Sequence, residues 1–214
     1  HCALMRPDLF TGVAALSVPF RGRAPVLPTT TMPRTDDAEY YQLYFQQPGK
    51  AEHELAGDVR RTLRVLLYNA SGDAPISQQI TMVPRQGGFL TRLADPAELP
   101  AWLREEDLDF YVSEFERTGF RGGLNWYRNI DRNWELLAAY AEAKVAVPAL
   151  FVAGDRDAVI TSPAAQKVIA RLQDSVPRLH RTVMLEGCGH WTQQERPQAV
   201  NDALLEFLRV VQRS

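Results

Sequence analysis

Two residues in the C-terminal part of the chain have the types and the placing that proton transfer requires: Asp157 and His190. His190 closes the stretch Leu185-Glu186-Gly187-Cys188-Gly189-His190, in which an apolar, β-branched run over 181–185 gives way to two glycines. The run reads as a short buried strand, and the glycines allow a tight turn that throws the histidine out at the strand's carboxyl end. Asp157 follows another apolar run, 147–153, in the turn Gly154-Asp155-Arg156-Asp157. If the two strands are parallel neighbours, both side chains reach the same rim. A carboxylate there can bind the imidazole Nδ1–H, fix the tautomer and stabilise the imidazolium, leaving Nε2 to take a proton. Asp155 is the rival acid and reads as the turn-former, because aspartate favours turns.

The elements that must position this pair follow a βαβ grammar. A short apolar strand lies within Val13-Ala14-Ala15-Leu16-Ser17-Val18, and a helix follows Ser162-Pro163. A second helix opens at Pro197 with apolar positions Val200, Leu204, Phe207, Leu208 and Val211. Between the first strand and the later ones the character changes. Residues 19–33 hold four prolines and read as an excursion from the sheet. Residues 36–144 read as mostly helical: a helix over 52–67 with Leu55, Val59, Leu63 and Leu66 on one face, and a loop over 71–96. Another helix begins at Pro100 and stops at Gly119, and one from Asn125 carries Trp126, Ile130, Trp134 and Leu137. The expectation is an α/β fold with a mostly parallel sheet flanked by helices. Residues 1–18 and 146–214 belong to that core, and a helical lobe is inserted over 19–145. In such sheets ligands collect beyond the strand C-termini, where Asp157 and His190 lie.

Composition removes several function classes. The 214 residues carry a net charge of −2, which offers no electrostatic footprint for nucleic acid or an anionic membrane. No apolar run is long enough to span a bilayer, and the first residues lack the pattern of a signal peptide. Two cysteines, Cys2 and Cys188, give no disulfide framework and fit a reducing, cytoplasmic setting. No metal-ligand spacing and no phosphate-cradling glycine loop occur, so neither a metal nor a cofactor is expected. The chain starts without methionine, on what reads as the last turn of a helix closed by Pro7-Asp8. The N-terminal strands of a longer protein are therefore expected to be missing, and oligomeric state stays open.

Acid before histidine is the chain order of α/β-hydrolases, whose triad begins with a nucleophile on a small-x-nucleophile-x-small elbow. No such elbow occurs here. Cys188 lies within the histidine turn itself and is a poor nucleophile candidate. By local chemistry the chain holds two members of a triad.

Two longer stretches then make a specific likeness. Tyr41-Gln42-Leu43-Tyr44-Phe45-Gln46-Gln47-Pro48-Gly49 and Gly119-Phe120-Arg121-Gly122-Gly123-Leu124-Asn125-Trp126-Tyr127-Arg128-Asn129 resemble the two cap-domain signatures of the soluble epoxide hydrolases of the α/β-hydrolase fold. Cys188-Gly189-His190-Trp191-Thr192-Gln193 resembles the histidine loop of that family. The resemblance implies that Tyr41 and Tyr127 grip the epoxide oxygen, with Gln42 lining the pocket. A phenol with pKa about 10 keeps its proton at neutral pH and can donate to an oxygen that gathers negative charge. The implied reaction converts an epoxide and water to a vicinal diol through a hydroxyalkyl-enzyme ester. Its nucleophilic aspartate would lie upstream of His1, and Asp157 and His190 would drive ester hydrolysis. Tyr40, Tyr44, Trp126 and Trp134 read as packing or pocket wall. The competing readings are a haloalkane dehalogenase, a serine esterase of the same fold, and a non-catalytic fragment.

Overall fold

The computed structural model describes residues 1–75 and 81–213; positions 76–80 of the expected 71–96 loop lie outside the described residues. The chain divides into two compact units, His1–Arg23 with Ala138–Ser214, and Ala24–Leu137. The strands, in chain order, are β1 (Val13–Leu16), β2 (Ala38–Tyr40), β3 (Met82–Pro84), β4 (Ala149–Gly154) and β5 (Leu179–Leu185).

In the first unit β1, β4 and β5 form a parallel sheet with β4 in the middle. Every residue of β4 is buried, as expected of a strand covered on both faces. The pleat divides its side chains between two cores. Ala149, Phe151 and Ala153 pack with Leu4, Val147, Ile160 and Leu172 on one face. Leu150 and Val152 pack with Leu185, Cys188, Val200 and Phe207 on the other. The helix Pro163–Ala170 starts where Ser162 caps it, its hydroxyl accepting from the Ala165 N–H. The helix Pro197–Val211 buries Val200, Ala203 and Phe207. Leu208, expected on that face, is 52% exposed, because it falls one position beyond the buried stripe. At the start of the chain, Cys2–Met5 is a single helical turn.

The second unit differs from the sequence reading in four places. The helix expected over 52–67 is two helices, Lys50–Ala56 and Val59–Asn69, interrupted at Gly57-Asp58. Asp58 adopts an extended backbone, and its carboxylate accepts from the Arg61 N–H, starting the second helix afresh. That restart rotates the buried face onto Thr62, Leu63, Val65 and Leu67. The helix read from Pro100 begins at Glu105 and runs to Thr118, with Gly119 past its end. The helix read from Asn125 is a pair, Arg121–Arg128 and Ile130–Leu136, and Trp126 is 79% exposed rather than packed. The antiparallel pair β2–β3 was not foreseen, since three-residue strands are too short to display alternation.

Among the described residues, no helix is long and apolar enough to cross a membrane.

An ion pair ties this unit together. Arg128 meets Glu52 through two contacts of 2.6 and 2.8 Å, and also donates from Nε to the Phe45 carbonyl at 3.0 Å. The guanidinium holds the Glu52 carboxyl down to about 2. A carboxyl lowered on folding stabilises above its unfolded pKa, so this contribution is complete above about pH 4.5 and is lost as the pH falls towards 2. Glu52→Gln should flatten the acid limb of the unfolding profile between those values and leave the alkaline side unchanged. Circular dichroism melts across the pH range would measure this.

Candidate active site

The acid–histidine pair is built by strand register. β4 and β5 run parallel with Gly154 opposite Leu185, so the turns that leave their carboxyl ends lie side by side. The two turns are laced by backbone bonds: the Asp155 N–H donates to the Leu185 carbonyl at 3.1 Å, and the Arg156 N–H to the Cys188 carbonyl at 2.9 Å. The approach is close enough that a Cβ on Gly154 would sit 2.1 Å from the Cys188 oxygen, so glycine is required there. Gly187 turns the histidine loop with φ 62°, a left-handed backbone.

Asp157 and His190 meet at the end of this lacing, with Nδ1 of His190 2.9 Å from Oδ2 of Asp157. A carboxylate accepts, so the Nδ1–H tautomer donates and Nε2 is left with its lone pair. The second Asp157 oxygen accepts the Val159 N–H at 2.8 Å, so both oxygens are engaged although the residue is 1% exposed. The histidine side chain keeps 28% of its surface. Asp155, the rival in the sequence, is exposed. Cys188 is fully buried, and that burial, assisted by the Glu195 carboxylate, pushes its thiol up to about 12. A thiol that holds its proton so firmly is a poor nucleophile at neutral pH.

The two tyrosines come together in the other unit. Tyr41 opens the helical turn Tyr41–Tyr44, Tyr127 lies in Arg121–Arg128, and their rings stand edge to face with centroids 5.7 Å apart. Phe45 contacts both rings, and Phe89 stacks on Tyr41. Backbone clamps hold this cluster. Gln46 donates to the Tyr127 carbonyl at 3.0 Å, and Arg128 grips Phe45. Glu54 accepts from the Phe89 and Leu90 N–H groups and from the Tyr44 hydroxyl. Gln42 donates to the Tyr41 hydroxyl at 2.9 Å, which occupies an acceptor position and leaves the phenolic O–H to donate elsewhere. Burial raises the pKa of both phenols above the ordinary value. The neighbouring phenols of Tyr127 and Tyr40 add to it for Tyr41, and a hydrogen bond with Tyr41 partly offsets it for Tyr127. Tyr40 packs on Tyr41 at 4.7 Å, Tyr44 is buried, and the indole N–H of Trp134 donates to the Ala24 carbonyl.

Thus each of the two expected pairs is assembled, and Gln42 lies on a tyrosine hydroxyl. Sequence reasoning passed over Ser17, Glu195, Glu54 and Arg128. A buried serine at a strand end and a glutamate within a short polar helix look alike, in sequence, to solvent-facing residues.

No family model matches the chain. It is 46% identical over 211 residues to epoxide hydrolase A of Mycobacterium tuberculosis, covering 97% of this chain and 64% of that protein. It is 35% identical to epoxide hydrolase B of the same organism, covering 96% of this chain and 67% of that protein. Among solved structures, an epoxide hydrolase from an endophytic Streptomyces superposes with a TM-score of 0.94 at 42% identity, over 99% of this chain and 64% of that one. The chain therefore spans about two-thirds of the length of these three relatives. Its parallel sheet, the Asp157 and His190 turns at the ends of that sheet, and this identity to proteins so named make it a member of the epoxide hydrolases of the α/β-hydrolase fold.

Proposed function

We propose that this chain supplies the oxygen-activating and water-activating residues of an enzyme that hydrolyses small epoxides to vicinal diols. The observation that carries this reading is the pair of buried phenols, Tyr41 and Tyr127, packed edge to face with Gln42 donating to the Tyr41 hydroxyl. Opening an epoxide puts negative charge on its oxygen, and two preorganised donors stabilise that charge without reorganising. The helical lobe of residues 19–145, which contains the compact unit Ala24–Leu137, would act as the cap that carries them.

The reaction has two halves. An aspartate carboxylate supplied from outside this sequence attacks an epoxide carbon. The carbon–oxygen bond breaks, and the oxygen takes a proton from one tyrosine while the other stays hydrogen-bonded to it. Water then adds to the ester carbonyl as His190 Nε2 removes a proton from it, and Asp157 stabilises the imidazolium that results. Collapse of that intermediate releases the diol and restores the carboxylate. The imidazolium and the tyrosine return to their starting protonation. No group in the cycle needs a metal or an organic cofactor. The unpaired Cys2 and Cys188 suit a reducing setting, and we place the protein in the cytoplasm. A haloalkane dehalogenase would need N–H donors for a halide, and the paired phenols favour the epoxide.

The complete protein should form diol from an aryl epoxide and leave a chloroalkane of similar size untouched. Tyr41→Phe and Tyr127→Phe should each lower kcat by about 100-fold, the loss expected for one donor to a developing oxyanion. Chloroalkane turnover with no diol formation would overturn the reading.

The raised phenols make a separate, substrate-free prediction. Their neutral form is favoured by folding, so they hold their protons above about pH 10, and the stability they contribute is lost only as the pH climbs past that value. Phenolate absorbance of the native protein at about pH 11 should fall short of that of the denatured protein, and the double Tyr→Phe variant should narrow the gap.

A further inference from the structure

Besides the bond from the imidazole to Asp157, side chains bond the backbone of the histidine and of the residues that flank it. Glu195 is 6% exposed, and its two oxygens accept from the amides on either side of the histidine: Oε2 from the Gly189 N–H at 2.8 Å and Oε1 from the Trp191 N–H at 3.0 Å. Ser17, at the carboxyl end of β1, donates from Oγ to the His190 carbonyl at 2.6 Å. The peptide between His190 and Trp191 is thus gripped at both ends, its carbonyl by Ser17 and its N–H by Glu195. The peptide between Cys188 and Gly189 is gripped in the same way, its carbonyl by the Arg156 N–H and its N–H by Glu195.

The residue types fit this task closely. Two N–H groups facing one side chain call for two acceptors and no donor, which a carboxylate provides and an amide does not. Ser17 is 4% exposed and has φ 64°, the only non-glycine with a left-handed backbone among the described residues. Such a conformation persists where the surrounding structure imposes it, and here it accompanies the bond to the histidine carbonyl.

We propose that Glu195 and Ser17 are positioning residues for His190: they fix the peptide planes that carry it, so that the bond to Asp157 alone sets the imidazole's direction. This rests on the proposed role of His190 as the base of the second half-reaction. The consequence is selective. Formation of the ester does not need the imidazole as a base, whereas its hydrolysis does, and loss of geometry at a base slows only the step that uses it.

The test uses the complete protein with Glu195→Gln and, in case that variant does not fold, Ser17→Gly, which removes the hydroxyl and accepts the left-handed backbone. Rapid-quench kinetics with an aryl epoxide separate ester formation from ester hydrolysis. The expected result is ester formation within about twofold of the parent and hydrolysis slowed at least about tenfold, with the ester accumulating. Proton NMR of the substrate-free protein gives an independent readout, the downfield Nδ1–H resonance of His190, which should broaden or vanish in the variants. Equal slowing of both half-reactions, or a resonance and hydrolysis rate unchanged from the parent, would overturn the proposal. If the parent forms no ester from epoxides, the reaction assigned above fails, and the resonance comparison still decides whether these residues position the imidazole.

Discussion

The hydrogen bond from His190 Nδ1 to Asp157 Oδ2, 2.9 Å long, exists because two parallel strands end side by side. A carboxylate buried to 1% exposure is costly unless its oxygens are engaged, and Asp157 meets this with one backbone amide and one imidazole. The strand that delivers it is buried on both faces, so its register is set by two cores at once. A one-residue slip would exchange Phe151 for its neighbours on the pleat and would carry Asp157 away from the histidine. Much of the first unit can be read as what holds that register: the apolar pleat of β4, the contact that only Gly154 permits, and the lacing of the two turns.

The tyrosine cluster rests on different physics. Tyr41 meets Tyr127, and Phe45 meets Phe89, edge to face in an aromatic nest, and the directional work falls to amides, carboxylates and one guanidinium acting on backbone carbonyls and N–H groups. Burial keeps both phenols protonated, which suits donors and would disable nucleophiles. In the proposed reaction the acid–histidine pair accepts a proton and one of the phenols gives one.

How much of this could be read in the sequence depended on the range of the signal. The runs that became β4 and β5 were legible because buried parallel strands are apolar throughout, and Asp157 and His190 followed from the turns behind them. The tyrosines were legible only through a family signature, since an aromatic-rich helix reads equally well as core. The break at Gly57-Asp58 was masked because Leu55, Val59 and Leu63 carry an apolar period straight across it. Glu195 and Ser17 were invisible for another reason. Ser17 lies 173 positions from the carbonyl it binds, and no local pattern records such a contact. Glu195 is only four and six positions from its two donors, but a glutamate near a turn reads as solvent-facing unless the bend that aims both N–H groups at it is known.

The proposed two-stage reaction, with phenols serving the first stage and the imidazole the second, is tested most directly by intact mass spectrometry of the complete protein carrying His190→Gln. After exposure to an epoxide, the protein should be heavier by one whole substrate molecule, because ring opening expels no leaving group, with little diol in solution. Diol released at the parent rate from a protein of unchanged mass would contradict it.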